Sequence, residues 1–161
     1  MKVEAARAPW LGSGPGGWIV KFQVAIRASQ GARSYQEDAA AVWQPPDHDA
    51  GAGEPTCVLA ILADGMGGHA GGAIASDAVC ASFEAQFIEQ QGSPRHRLKS
   101  ALSAANGAIT ALVAAQPQLR GMGSTLIGVA FHDDHVSWIS VGDSRSEEHT
   151  SELQSLRHLV C

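Results

Sequence analysis

The sequence predicts a layered α+β domain built on a largely antiparallel sheet. Three observations support this fold class: strand-like alternation in the first third of the chain, two consecutive helical segments in the middle, and two strands joined by a short polar turn near the end. This order differs from the regular strand–helix alternation that builds a parallel sheet. The 161 residues suffice for one domain with a substantial core.

The strand predictions rest on side-chain periodicity. From Trp18 to Ser29, apolar and polar residues alternate as on a half-buried strand. Ala39 to Trp43 form a second, short apolar run, and the proline- and glycine-rich segment after it rules out a regular element. The run from Val58 to Ala63 predicts a strand buried on both faces. It ends at Asp64, and a glycine-rich turn follows.

Two helices are expected after this turn. Gly72 to Gln91 has helix-forming composition and apolar stripes on two sides, which predicts a helix packed between two neighbours. Ser93 and Pro94 suit the N-cap and the first position of the second helix. This helix is expected to end before Pro117.

The last recognisable unit is a predicted antiparallel strand pair. Gly121 to Phe131 forms the first strand, the next four residues a turn, and the segment up to Asp143 the second strand. His132 and His135 in this turn also form a candidate zinc pair. No cysteine or third histidine is suitably spaced in the sequence, so a polar hairpin turn is the favoured interpretation.

Composition limits the partners and the compartment. A formal net charge of -5 argues against nucleic acid or an anionic membrane as the main partner. Three cysteines without metal-type spacing indicate a reduced, cytoplasmic protein. Residues 1–17 are predicted to be a flexible leader, with neither a signal peptide nor a membrane span in the chain.

Acidic and glycine residues supply the candidate site. The acids Glu37, Asp38, Asp64 and Asp143 lie at predicted loop positions, and hard cations such as Mg²⁺ and Mn²⁺ prefer oxygen ligands. Arg33 offers a fork of donors that matches two phosphate oxygens. A metal and an arginine together indicate phosphoryl chemistry. Taken alone, each acid is more often a turn or capping residue, and the arginine a solvated surface group.

A dinucleotide-binding turn is the rival interpretation of the glycine-rich segment. Gly65, Gly67 and Ala70 satisfy the spacing of that turn. Asp64 would repel the pyrophosphate, however, and the acid expected about 20 residues later falls at Glu84, inside a predicted helix. A P-loop is excluded because no Gly-Lys-Ser or Gly-Lys-Thr follows.

Four motifs resemble a known family. GARSYQEDA, ADGMGGHAGG, GMGST and VGDSR occur in the order of the N-terminal motifs of metal-dependent protein serine/threonine phosphatases of the 2C type. The resemblance covers roughly Phe22 to Arg145. It implies the N-terminal part of a four-layer sandwich, incomplete here, in which helices flank a central antiparallel β-sandwich. It also implies that a water held between two Mn²⁺ or Mg²⁺ ions hydrolyses phosphoserine and phosphothreonine proteins in signal transduction.

The resemblance assigns roles to five residues. Arg33 matches the arginine that binds the substrate phosphate. Glu37 and Asp38 match the acidic pair at the metal centre. Asp64 matches the aspartate that bridges the two ions, and the carbonyl of Gly65 matches a backbone ligand.

Three further residues belong to the same comparison. Asp143 and His69 are expected to support the site, and two options remain for His69, bonding to the backbone or lying near the substrate. Met66 stands where some family members carry a histidine proposed as the general acid. A thioether cannot donate that proton, so another group or water must supply it. Methionine at this position fits the bacterial type of the family.

The end of the chain departs from the family, whose members continue through more strands and two further aspartates. Residues 146–161 lack strand alternation, and Arg145 to Ser155 resembles a translated sequencing adapter, in which Arg145 can belong to either part. The predicted division is therefore a leader over 1–17, a partial phosphatase domain over 18–145 and a non-native tail. This chain is expected to be inactive alone.

The expected partners are phosphorylated proteins, together with a serine/threonine kinase or its targets. The alternative hypothesis is a non-catalytic relative that binds a partner or regulates a kinase pathway, because the distal aspartates are missing from the chain as written.

Overall fold

The structure is a computed structural model that describes residues 2–7, 22–29, 36–45, 57–68, 70–132 and 135–143. Within these ranges the chain forms seven strands, two α-helices and one short 3₁₀ turn. The strands are β1 Lys2–Arg7, β2 Phe22–Arg27, β3 Asp38–Trp43, β4 Cys57–Met66, β5 Gly123–Ser124, β6 Leu126–His132 and β7 His135–Val141. The helices are α1 Ala70–Glu89 and α2 Pro94–Ala115, and the 3₁₀ turn is Pro117–Leu119. This order confirms the predicted α+β class.

The larger sheet has the strand order β3-β4-β6-β7, with β5 also paired to β4. Every pairing in it is antiparallel, as predicted. The β6–β7 hairpin closes with His132 opposite His135, which places the predicted turn correctly. Strand β4 lies at the centre, because β3 pairs along one edge and β6 and β5 pair along the other.

One face of β4 carries the hydrophobic core. Leu59, Ile61 and Ala63 are fully buried and pack with apolar residues of both helices, including Phe83 and Leu98. The opposite face is less covered, since Val58 is buried there but Ala60 and Leu62 are only half-buried. The prediction that β4 is buried on both faces is therefore confirmed for the face that carries the core and only in part for the opposite face. Among the described elements, the two helices pack on the face that carries Leu59, Ile61 and Ala63, and not on the opposite face.

The second face of the sheet is also apolar. Because paired residues of neighbouring strands share a face, the register places residues of four strands beside each other there. A sheet with two apolar faces needs a second layer on the side that helices leave open. This matches the sandwich implied by the family resemblance. The apolar residues on this face are Ala40, Val42, Val58, Ala60, Leu62, Ile127, Val129, Phe131, Val136 and Trp138.

The helix boundaries follow the capping signals. Helix α2 begins at Pro94, and the Ser93 hydroxyl accepts a hydrogen bond from the His96 amide at 3.3 Å. It ends at Ala115, before Pro117, as predicted. Near its start, Arg97 Nε donates to the Phe87 carbonyl at 2.8 Å and so binds the last turn of α1. Helix α1 begins two residues earlier than predicted.

Helix α2 is long and apolar enough to cross a membrane, by length and composition only. Its Leu98, Ala101 and Ala105 lie in the hydrophobic core with α1 and β4. Core helices and membrane helices share this composition, so the helix gives weak evidence for either environment. The expectation of no membrane partner stays a prediction.

The N-terminal segment contains a strand that the sequence does not predict. Strand β1 lies within the predicted leader and pairs antiparallel with β2, with Lys2 opposite Arg27. Its short, weakly alternating sequence gives no signal without its partner. Strand β2 matches the strand predicted from Trp18 onward, of which residues 18–21 lie outside the described ranges. The divisions at residues 17 and 145 stay predictions.

Two cysteines act as core residues. Cys57 and Cys80 are both buried. Burial, assisted by the nearby Asp77 and Glu84 carboxylates, raises the pKa of the Cys80 thiol to about 12. This thiol therefore stays protonated and unreactive near neutral pH. Cys161 lies outside the described residues, and a cytoplasmic location stays a prediction.

Gly128 gives a test of the core packing. A Cβ at this position in β6 would lie 2.5 Å from Phe83 Cζ and 2.8 Å from Cε1. We predict that Gly128→Ala lowers the free energy of unfolding by about 1–3 kcal/mol, because the ring has no room to move in the core. Urea denaturation measures this change. Gly107→Ala in α2, where a Cβ meets nothing within 4 Å, is the control and should stabilise by roughly 1 kcal/mol. Equal stability of the two variants would contradict the packing.

Candidate metal centre

Two aspartates face each other at one end of the sheet. Asp38 begins β3 and is the cross-strand partner of Asp64 in β4. Directly opposed residues of an antiparallel pair have Cβ atoms about 4.5–5.5 Å apart, and two like charges at that distance repel each other. The side-chain amide of Gln36 donates a hydrogen bond from Nε2 to Asp38 Oδ2 at 3.0 Å. A divalent cation would offset the repulsion that remains between the two carboxylates.

Glu37 contributes to the same end from the side of helix α1. Its backbone carbonyl accepts a hydrogen bond from the Gly65 amide at 3.0 Å. Its carboxylate Oε1 lies 2.7 Å from the position that a Cβ on Gly72 would take, and the Gly65 carbonyl oxygen lies 3.0 Å from that position. The absence of a side chain at Gly72 therefore lets a carboxylate oxygen and a backbone carbonyl converge.

Gly65 is required by the same close approach. A Cβ on it would collide with the Gly72 carbonyl group and would lie 2.8 Å from the Glu37 carbonyl oxygen. Gly67 and Gly68 then take φ values of 133° and 70°, which favour glycine, and turn the chain from β4 into α1. The predicted glycine turn is confirmed, although β4 continues through Asp64 to Met66 because β5 pairs with its last residues.

The residues that follow β7 also pack near the two opposed aspartates. Gly142, with φ of 96°, follows β7, and a Cβ on it would lie 2.9 Å from Thr125 Cγ2. Thr125 in turn exchanges hydrogen bonds with Asp64. Asp143 is exposed and directly follows Gly142 in the chain.

The structure brings four of the predicted site residues together: Glu37, Asp38, Asp64 and Gly65. Arg33 and His69 lie outside the described residues, so their predicted roles stay predictions. Met66 is described, and its side chain is 53% exposed beside the glycine turn.

Two contributors were missed from the sequence. Thr125 lies in the GMGST motif, which is predicted to be part of one strand, and Gly72 lies in the predicted glycine-rich turn and at the predicted start of a helix, but the sequence assigns neither residue a contact in the site. Each acts through a contact with a residue far along the chain, Asp64 or Glu37. A one-dimensional pattern does not show such contacts.

The donor set fits a hard divalent cation. Three carboxylates and one backbone carbonyl supply only oxygen, and Mg²⁺ or Mn²⁺ completes such a set with waters. Within the described ranges, no three histidine, cysteine or acidic side chains already converge on one point. Neighbouring residues of an extended chain point to opposite faces, so Glu37 approaches α1 while Asp38 faces the other side. The candidate ligands therefore lie on both faces of the sheet end.

The His132 and His135 pair is separate from this centre. The two rings stack with centroids 6.0 Å apart, and His132 Nε2 lies 3.0 Å from Ser137 Oγ. The pair lies opposite Cys57, at the start of β4, whereas Asp64 lies near the end of that strand.

Fold and site together define an α+β domain with an oxygen-rich centre at the end of an antiparallel sheet. Residues 34–158 match the family described as protein phosphatase 2C, and the chain belongs to this family. The resemblance inferred from the four motifs is thus confirmed.

Known relatives agree with this assignment. The serine/threonine protein phosphatase PstP of Mycobacterium tuberculosis is 42% identical over 88 residues, which is 54% of this chain and 17% of PstP. A crystal structure of that enzyme matches with a TM-score of 0.57 and 29% identity, covering 89% of this chain and 48% of the solved chain. A PstP catalytic domain in complex with two manganese ions matches equally well, with a TM-score of 0.57 and 28% identity over 89% and 49% of the two chains.

A more distant structure supports the fold alone. A serine/threonine phosphatase of S. agalactiae matches with a TM-score of 0.55 and 23% identity, over 89% of this chain and 49% of that one. This chain therefore spans about half the length of the solved chains. The predicted fold class, an incomplete phosphatase sandwich, is confirmed.

Gly72 tests the geometry of the centre. We predict that Gly72→Ala weakens Mn²⁺ binding about tenfold, because the new Cβ displaces the Glu37 carboxylate from the Gly65 carbonyl. Stability should change little, since the displaced group is the mobile end of a side chain. Titration with Mn²⁺, followed by paramagnetic broadening of amide resonances, measures the affinity. Gly107→Ala, the same change in open space on α2, should bind like the unchanged chain. Equal affinity of both variants would remove Glu37 from the ligand set.

Proposed function

We propose that this chain forms part of a protein serine/threonine phosphatase that uses Mn²⁺ or Mg²⁺. The observation that carries the proposal is the opposed Asp38–Asp64 pair with the Gly65 carbonyl and Glu37 beside it. Membership of the protein phosphatase 2C family supports it. So does the presence of two manganese ions in the PstP catalytic domain.

The proposed ligands are the carboxylates of Glu37, Asp38 and Asp64 and the carbonyl of Gly65. Bound metal ions would supply a water of lowered pKa that can attack phosphorus. The chain's own contribution is to hold the carboxylates apart and aimed, through the β3–β4 register and the glycine contacts. Arg33 is proposed to bind the phosphate oxygens.

Protonation of the leaving group has to come from a group other than Met66. Met66 is exposed next to the centre, but a thioether carries no proton to donate. Water or another residue must therefore protonate the serine or threonine oxygen that departs. Asp143 and His69 are proposed only as supports of the site.

The substrates we propose are phosphoserine and phosphothreonine proteins, including a kinase or its targets, in cytoplasmic signal transduction. The formal charge of -5 supports a protein rather than a nucleic acid partner. The GMGST and VGDSR motifs contribute Thr125 and Gly142, which contact each other next to Asp64. These contacts support a role of both motifs in the proposed phosphatase site.

A non-catalytic binding or regulatory role is the second candidate. It is favoured by the lack of three converging carboxylates in the described part of the chain. The two candidates differ in one observable. A regulator binds a phosphoprotein without consuming it, whereas the enzyme releases phosphate.

We predict that residues 1–161 alone release no phosphate from p-nitrophenyl phosphate and bind Mn²⁺ weakly, with a dissociation constant on the order of 1 mM. Few protein ligands and an open site leave much of the coordination to water. Isothermal titration calorimetry and a phosphate-release assay measure the two quantities. Tight, stoichiometric binding would contradict the open site.

We predict phosphatase activity in a chimera that joins residues 22–143 to the remaining half of the PstP catalytic domain, assayed with Mn²⁺ and a phosphothreonine peptide. Asp64→Asn should lower kcat/KM by about 100-fold or more, because the amide replaces a charged ligand. Asp77→Asn, the same change at an exposed position of α1, is the control. Full activity of Asp64→Asn would refute the ligand assignment. An inactive chimera that still binds the peptide would favour the regulatory role.

A further inference from the structure

Thr125 lies directly opposite Asp64 in the sheet. Strand β4 pairs Leu62 with Ile127 of β6 and Gly65 with Ser124 of β5. The same register places Thr125, between those two strands, against Asp64. The contact is therefore set by the pairing of β4 with a segment 61 residues further along the chain.

Two hydrogen bonds join the pair. The Asp64 amide donates to Thr125 Oγ1 at 3.0 Å, and the Thr125 amide donates to the Asp64 carbonyl at 2.8 Å. The Ser124 hydroxyl donates to the same carbonyl at 3.1 Å. Both polar groups of the Asp64 backbone are thus held from one side, and the amide is held by a side chain.

This backbone contact matters because the Asp64 side chain is exposed. Close packing contributes little to the direction of an exposed carboxylate, so the position of its own backbone helps to set that direction. The next residue, Gly65, has no side chain that could anchor the strand. The hydroxyl of Thr125 therefore holds the backbone of the same residue whose carboxylate the site must orient.

Thr125 itself is rigidly placed. It is 3% exposed, and Gly142 packs so closely that a Cβ there would lie 2.9 Å from Thr125 Cγ2. A buried β-branched side chain in such a contact has few rotamers available. The hydroxyl is therefore held toward the Asp64 amide rather than free to turn away.

We propose that Thr125 is a positioning residue that aims the Asp64 carboxylate at the metal ion through the Asp64 backbone. This inference rests on the proposed function, in which Asp64 is a ligand. Thr125 does not touch the metal or the substrate. It acts as the acceptor that fixes a ligand, a kind of support on which metal affinity commonly depends.

The test compares Thr125→Val, which keeps the shape and removes the acceptor, with Thr125→Ser, which keeps the acceptor. Thr110→Val makes the same chemical change on α2, where the hydroxyl donates within the helix to the Asn106 carbonyl at 3.0 Å. All are made in the full 161-residue chain. NMR measures hydrogen exchange of the Asp64 amide and the Mn²⁺ dissociation constant from paramagnetic broadening of the Gly65 amide.

Thr125→Val should speed exchange of the Asp64 amide and weaken Mn²⁺ binding about tenfold. Thr125→Ser should bind within about threefold of the unchanged chain, and Thr110→Val should match it. Unchanged Mn²⁺ affinity in Thr125→Val would overturn the inference. If that variant does not fold, a Thr125→Ser chain that loses tenfold in affinity would overturn it instead.

The same titration separates this inference from the proposed function. If the unchanged chain shows no Mn²⁺ binding, or Asp64→Asn binds as well as it does, the ligand assignment fails and the inference fails with it. If the unchanged chain binds and Asp64→Asn does not, affinity in Thr125→Val tests the positioning role alone.

Discussion

The register between β3 and β4 is the constraint on which the centre depends. It places Asp38 opposite Asp64, and it brings the Glu37 carbonyl to the Gly65 amide one step further along. Because side chains alternate between faces, a slip of one residue would move one aspartate to the opposite face of the sheet. The apolar residues of both strands fix this register, since the same slip would expose Leu59 and Ile61 to water. Core packing and ligand placement are therefore one requirement.

Close backbone contact sets the second requirement. Helix α1 begins against the end of β4 so tightly that neither Gly65 nor Gly72 can carry a Cβ without displacing a carbonyl or a carboxylate. A helix this close could not approach a strand of ordinary residues. The glycines therefore do more than turn the chain, because they allow the Glu37 side chain and the Gly65 carbonyl to reach one point from two elements.

Much of this arrangement follows from sequence periodicity and capping signals. The hairpin, the Ser93 cap, the stop before Pro117 and the acid at the end of the central strand are all local features, and the structure contains them. Strand β1 and the break at Thr125 were not predicted, since each depends on a partner distant in sequence. Local patterns record which residues prefer a strand, but they do not record which strand lies opposite.

The two faces of the sheet explain why the centre is built from so many segments. Asp38 and Asp64 share the face that helices leave uncovered, together with Leu62 and Ala40. Glu37 approaches from the helix side. A metal held at this sheet end would therefore contact both sides of one layer. A second apolar layer packed on the open face would lie next to the aspartates, where it could supply further ligands and exclude water from them. Completion of the core and completion of the metal site would then be the same event.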